Sequence, residues 1–534
     1  MYASTRVPHL HGGGEGKRTY SEGEAMAGER RRDTTATSPP GKGTSARCDV
    51  VFTGARVIDP ESGLDGVRDV GVTGRLITEV SSVPVAAART VDASGCVLAP
   101  GFIDLHSHAQ TRPGALLQAL DGVTTALELE MGTVSTSAVL GSAEQEGRPI
   151  NYGYSASWQL TRMRLFDDAE PDEPFAMATA NQNRPNWRLP ASSRDVARLL
   201  DALESEVADG AIGIGVLLGY ASGTHGSEYF ALARRAARLN VPTFTHTRYM
   251  STCEPHSSLD GALEVISAAA GTGAHMHMCH LNSSSNRMID LIAGAVERAR
   301  EYGVEITTEA YPYGSSSTAV GAEFLAPNRL RGLGITANRI LYLPTGERIA
   351  DERRLEELRA ADPAGLAIVQ WADEEVAEDR DLLLRSLLLP DTAIASDSLP
   401  ATLPGGGLVR EGWPLPEAAM THPRSGGCFA RTFSWLVREL GVLSMSEAVR
   451  RCSLLPARFL QESVPAMRAK GRVRPGADAD IVVFDPEVFA DQGGYRLVAP
   501  SLGVQHLMVG GSFVVEGGRL DTASRAGRPV RGGR

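Results

Sequence analysis

The spacing of apolar positions changes character along this chain. From Cys48 to Val80 they come in short alternating runs, at Asp49–Pro60, Asp69–Val72 and Arg75–Val80, broken by Gly and polar pairs. Alternation with tight turns predicts strands, the first run reading as two short strands around Gly54. The same texture returns at Asp480–Pro486 and from Val504 to Val515 around Gly510–Gly511. Two β-rich ends flanking a long middle predict one small β-sandwich domain built from both chain ends, residues 47–98 with 462–520.

Between about Ala99 and Gln461 the period alternates. Asp195–Val207, Glu228–Leu239, Leu259–Ala270 and Ile289–Tyr302 carry helical spacing. Between and after them lie the strand-sized runs Ala211–Leu218, Val241–Thr245, His275–His280 and Val304–Thr308. Repeated βα units predict a parallel sheet, and at this length an α/β fold of the TIM-like (β/α)8 barrel class over 99–461. A stretch near 314–392, with a charged helix around Asp351–Ala360, breaks the rhythm and reads as an insertion. Residues 521–534 read as a flexible tail.

Composition narrows the picture. The 534 residues are 42% hydrophobic and 22% charged, ordinary for a globular chain. The net charge of −11 argues against non-specific nucleic-acid binding. No run approaches the roughly 18 apolar residues of a membrane helix. The six cysteines are scattered without paired spacing, which fits a reducing compartment. Residues 1–46 are polar and Gly-rich, and read as a disordered tail or as sequence upstream of a start near Met26. Arg30–Arg31–Arg32 lacks the apolar segment that an export signal needs. A cytoplasmic protein is expected, and a homo-oligomer is compatible with the sequence.

Chemistry concentrates at predicted strand ends. His106 and His108 close the apolar run Leu98–Leu105, and side chains two apart on a strand leave one face. They are positioned to share a metal ion, with Asp104 on the same face to orient an imidazole. A barrel demands further ligands at later strand ends. His246 ends Val241–Thr245, His280 ends the next run, and Asp397 ends Ala393–Ser396. His275 and His277 face the other way by strand parity and read as structural. Glu128 and Glu130 share a face of the apolar strand Gly122–Gly132, where unpaired acids are costly. Glu130, nearer the strand end, is the first choice to bridge two metals and Glu128 the reserve; the alternative is an ion pair with an arginine such as Arg248.

With these residues in view, the chain resembles the amidohydrolase superfamily, and within it the N-acyl-D-amino-acid deacylases, from about residue 48 to 520. The resemblance is carried by Pro100–His108, Gly122–Thr125, His246–Arg248, His280, Tyr311–Tyr313, Ser396–Asp397, His422–Arg424, Phe429–Arg431 and Gly476–Val482. It implies a hydrolase of carbon–nitrogen bonds holding one or two divalent ions, Zn²⁺ foremost, on His106, His108, Glu130, His246, His280 and Asp397. Asp397 is the expected proton acceptor, and the partner a small-molecule amide. Tyr220, Arg248, Asn282 and Tyr311 are expected to contact substrate. Two positions depart from the deacylase pattern: Met131 falls where a cysteine ligand is usual, and neutral Asn282 where a lysine holds the substrate carboxylate. The alternative is a cyclic amide hydrolase of the hydantoinase or dihydroorotase kind. Those bridge their metals with a carboxylated lysine, and the only lysines here are Lys17, Lys42 and Lys470, outside the expected barrel.

Overall fold

The computed structural model describes residues 47–495 and 497–533, so the expectations for residues 1–46 lie outside it. Eight strands form one parallel sheet: Phe102–Asp104, Val123–Thr133, Asn151–Ser157, Ile214–Leu217, Thr243–His246, Met276–Met278, Ile306–Ala310 and Thr392–Ile394. Each pairs with its sequence neighbour in parallel register. Just past their ends, the first and last strands meet at a parallel bridge between Ser107 and Ser398, which closes the ring. This is a (β/α)8 barrel. The strands are short and buried because helices cover their outer faces, which is why they read as apolar runs without alternation.

A nine-stranded sheet draws on both ends of the chain, with Val97–Pro100 from the N-terminal part pairing antiparallel to Ile481–Phe484 from the C-terminal part. The run Cys48–Asp59 is one bulged twelve-residue strand rather than two around Gly54. Gly54 has φ +74° and fits the bulge, which keeps the strand continuous where the sequence suggested a turn. Barrel and end sheet meet over stacked aromatics: the Phe102 ring lies 5.4 Å from those of both Phe429 and Phe433.

The insertion is shorter than the sequence suggested. A four-stranded antiparallel sheet spans Ser315–Ala319, Ile340–Tyr342, Glu347–Arg348 and Leu366–Gln370. Ala377–Leu388 is a barrel helix, with Leu383 and Leu387 packed in the core that holds Ile394 of the last strand.

The C-terminal stretch is not a flexible tail. Val530 is buried and donates to the Tyr152 carbonyl at 2.7 Å, and Gly532 donates to Gly210. These backbone bonds tie the segment to the strand at Asn151–Ser157 and to the turn at Gly210 before the next strand, a role that its Gly- and Arg-rich composition hides. Among the described residues, no helix is long and apolar enough to cross a membrane.

Candidate metal centre

The candidate residues converge at the C-terminal ends of the barrel strands, where βα loops begin. His246 is the last residue of its strand, Glu130 lies within the second, and His280 and Asp397 follow the sixth and eighth. His106 and His108 stand just beyond the first strand, which ends at Asp104; His106 forms an antiparallel bridge with Glu128. The pair therefore converges on an extended segment past the strand rather than on the strand itself. His280 and Asp397 have φ of +32° and +50°, a left-handed conformation that non-glycine residues adopt at a cost of about 1–3 kcal/mol. Both are held there by buried contacts, and the strain aims their side chains inward.

Three groups of side chains have potential ligand atoms within 4.8 Å of one another; two are made of the expected ligands, His106–His108–Asp397 and Glu130–His246–His280, and the third is His106–Cys279–Glu309. In the first, His106 Nε2 is 3.2 Å from His108 Nε2, and both are 3.5 Å from Asp397 Oδ1. In the second, His246 Nδ1 and His280 Nε2 are 3.0 Å apart, and Glu130 Oε1 is 3.1 and 2.8 Å from them. Glu130 joins the groups, since its Oε2 is 3.2 Å from His106 Nε2. Tetrahedral ligands at ~2.0–2.1 Å from a zinc ion stand about 3.3 Å apart, so both groups have the spacing of a shared divalent ion.

Charge points the same way. The buried carboxylates Glu128, Glu130, Glu309 and Asp397 surround the imidazoles, and the permanent cation among them is Arg424. Such an acid excess is costly without added positive charge. Burial alone would push the His106 imidazole down, but Glu130, Asp397 and Glu309 lift it well above its ordinary value. Burial opposes the charged form of His108 too, yet chiefly through Glu128 it rises to about 10. Glu130 is held well below the carboxylate range, its burial outweighed by His106, His280 and His246.

A second layer of groups orients the first. Glu128 accepts from His108 Nδ1 at 2.7 Å, the place of a group that orients an imidazole. Glu309 does the same for His106 Nδ1 at 2.5 Å. From Glu309 the chain of hydrogen bonds runs on to His277 (3.1 Å), Thr307 (2.9 Å) and His275 (2.8 Å). His277 is thus linked to the centre. Asp104 holds the backbone instead of an imidazole, accepting from the amide N–H of His106 and of Ser396. Arg424 pairs with Asp397, Nη2 to Oδ2 at 2.8 Å, and donates from Nε to the Asp397 carbonyl.

The four expected substrate contacts divide. Tyr220 lines the cleft above the centre, its ring 5.1 Å from that of His246 and its hydroxyl 2.7 Å from Thr318 Oγ1. The Tyr311 hydroxyl has no hydrogen-bond partner and its ring lies under Arg424 at 4.5 Å, but Tyr311 does not line the cleft. Arg248 and Asn282 are turned away. Arg248 makes two 2.8 Å bonds to Glu264 and donates to the Ser222 and Thr224 carbonyls. Asn282 is fully buried and donates to the carbonyls of Tyr311 and Tyr313. Both are structural ties and do not line the cleft.

Sequence reasoning missed Glu309 and Arg424. Glu309 carried the same signal as Glu128 and Glu130, an acid in an apolar barrel strand. Glu309→Gln keeps the side chain's size but weakens the acceptor that fixes His106. Metal affinity is expected to fall about 10- to 100-fold, read by competition with a chromogenic chelator; an unchanged affinity would remove Glu309 from the site.

The family profile described as "Amidohydrolase family" matches residues 89–514. An N-acyl-D-glutamate deacylase of Alcaligenes xylosoxydans xylosoxydans is 28% identical over 517 residues, 91% of this chain and 97% of that one. A D-aminoacylase of the same organism is 26% identical, covering 84% of this chain and 90% of its own. Among solved structures, the N-acyl-D-glutamate deacylase of Bordetella bronchiseptica, complexed with zinc and a phosphonate inhibitor, is similar in fold. Its TM-score is 0.72 at 24% identity, with 91% of this chain and 100% of that one covered.

Proposed function

The chain belongs to the amidohydrolase family, and on that premise we propose that it deacylates an N-acyl-D-amino acid or a related linear amide in a metal-dependent hydrolysis. The observation that carries this is the pair of three-residue groups joined by Glu130. The residues that would hold one or two divalent ions are His106, His108 and Asp397 on one side and His246 and His280 on the other, with Glu130 between. A divalent ion there, zinc as in the Bordetella structure, supplies activation of water at neutral pH and polarisation of the acyl carbonyl.

The chain's own residues do the rest. Asp397 Oδ1 faces the imidazoles while Arg424 holds Oδ2, so Oδ2 is committed to position and Oδ1 is the oxygen that would meet both the ion and the attacking water. Burial would raise this carboxyl, but Arg424 and His106 keep it below its ordinary value and so ionised at neutral pH. It takes the proton from the attacking water as the bond to the acyl carbon forms, and delivers it to the leaving nitrogen as the C–N bond breaks. Tyr220, on the cleft wall, is placed to contact substrate.

The second reading, a cyclic amide hydrolase, would bridge its metals with a modified lysine. Lys470, the one lysine among the described residues, is instead bound to Asp478 and Asp480 at 2.8 and 2.6 Å, and Glu130 stands between the two groups. The deciving assay incubates the metal-loaded protein with N-acetyl-D- and N-acetyl-L-amino acids, their amides, and hydantoins. Acetate release from the D-series supports the proposal, and ring opening alone sinks it.

A further inference from the structure

The cleft above the metal centre has a charged floor and a neutral wall. His108, Glu130, His246, His280 and Asp397 form the floor, and among the described residues neither lysine nor arginine lines the rest. The guanidiniums around it have contacts of their own: Arg424 is fully buried and pairs with Asp397, Arg248 is paired with Glu264, and Arg188 donates to the Gln182 carbonyl. Arg424 Nη1 and Arg188 Nε have no hydrogen-bond partner, but neither residue lines the cleft. The wall supplied by the inserted sheet and its loops is uncharged, with the apolar side chains of Phe324, Leu366, Val369 and Trp371 beside the hydroxyls of Ser316, Ser317 and Thr318. On the facing side, Gln159 and Gln182 line the same cleft at 2% and 4% exposure. Gln159 Oε1 and Gln182 Nε2 have no hydrogen-bond partner, an uncommon state for buried polar atoms. Both are neutral groups that a ligand would satisfy.

We propose that this site takes an amide that carries no charge beyond the scissile bond, with an apolar body against the inserted sheet and a neutral hydrogen-bonding group for Gln159 and Gln182. The proposal rests on the linear-amide reading above. A free carboxylate on this wall would lose its hydration with no lysine or arginine lining it to replace the lost contacts. A carboxamide in its place loses far less and matches the two glutamines.

The test uses the metal-loaded full chain and pairs of substrates that differ in one group. Acetate release is followed from N-acetyl-D-phenylalanine and N-acetyl-D-phenylalaninamide, with N-acetyl-D-glutamate as a doubly charged control. The amide is expected to have the higher kcat/KM, by on the order of 10²-fold, with the glutamate slowest. An acid turned over as fast as its amide overturns this inference and leaves the hydrolase reading standing. If neither member of the pair is cleaved while hydantoins are, the linear-amide reading fails and takes the inference with it. A second measurement places a cation on the wall by Phe324→Arg, at a half-buried position. In the folded, metal-loaded variant the preference is expected to move at least tenfold towards the acids, and an unchanged ratio would show that wall charge does not set specificity.

Discussion

Asp397→Asn lowers kcat by on the order of 10³-fold, about 4 kcal/mol of barrier, while metal remains bound. The substitution keeps the side chain's size, but an amide does not accept the proton of the attacking water. His106 and His108, 3.2 Å apart at their Nε2 atoms, remain to hold an ion, and Glu130 stays within 3.2 Å of His106. Arg424, now facing an amide, loses its charged partner, so the protein is also expected to unfold at lower temperature. The check is kcat and metal content on the same preparation. Near-normal turnover with metal bound would show that another group takes the proton. Turnover and metal lost together would show that Asp397 acts through holding the ion and would remove the support for its proton-carrying role.

Glu130→Gln strikes the joint between the two groups. Glu130 Oε1 serves His246 and His280, and Oε2 faces His106. A glutamine offers one oxygen and one N–H₂ group, so one side loses its acceptor and gains a donor pointed at the ion. Removal of a buried charge that balances metal leaves the opposite charge uncompensated. The variant is expected to retain at most one ion, and kcat/KM is expected to drop at least about 100-fold. Metal analysis of the dialysed variant against wild type reads this directly; equal metal content would place the bridging role elsewhere.

Much of this site was legible because metal chemistry restricts both residue type and position. The strand-end placement of His246, His280 and Asp397 follows from barrel topology, and an acid such as Glu130 in an apolar strand is tolerated only with a partner. What stayed hidden depends on contacts distant in sequence. Whether Arg248 reaches a substrate or Glu264, sixteen residues on, is decided by how its loop meets the following helix. Asn282 offered a polar group beside His280, but the structure spends it on two backbone carbonyls. The partner of the His106 imidazole was sought nearby at Asp104 and found at Glu309, more than two hundred residues away. The fold was clearest where period and length agreed, as in Ser193–Ala208 and Gly226–Leu239. It was least clear where composition misled: the Gly-rich C-terminal stretch docks through backbone hydrogen bonds, which side-chain chemistry does not announce.

The most direct test of the account is metal content per chain of protein purified without chelator, followed by removal of the metal and its return while hydrolysis of N-acetyl-D-phenylalaninamide and N-acetyl-D-phenylalanine is monitored. The account predicts one or two divalent ions per chain, loss of hydrolysis to background when they are removed, and recovery on adding zinc. A protein that binds no divalent ion, or hydrolyses an amide equally well without one, would contradict it.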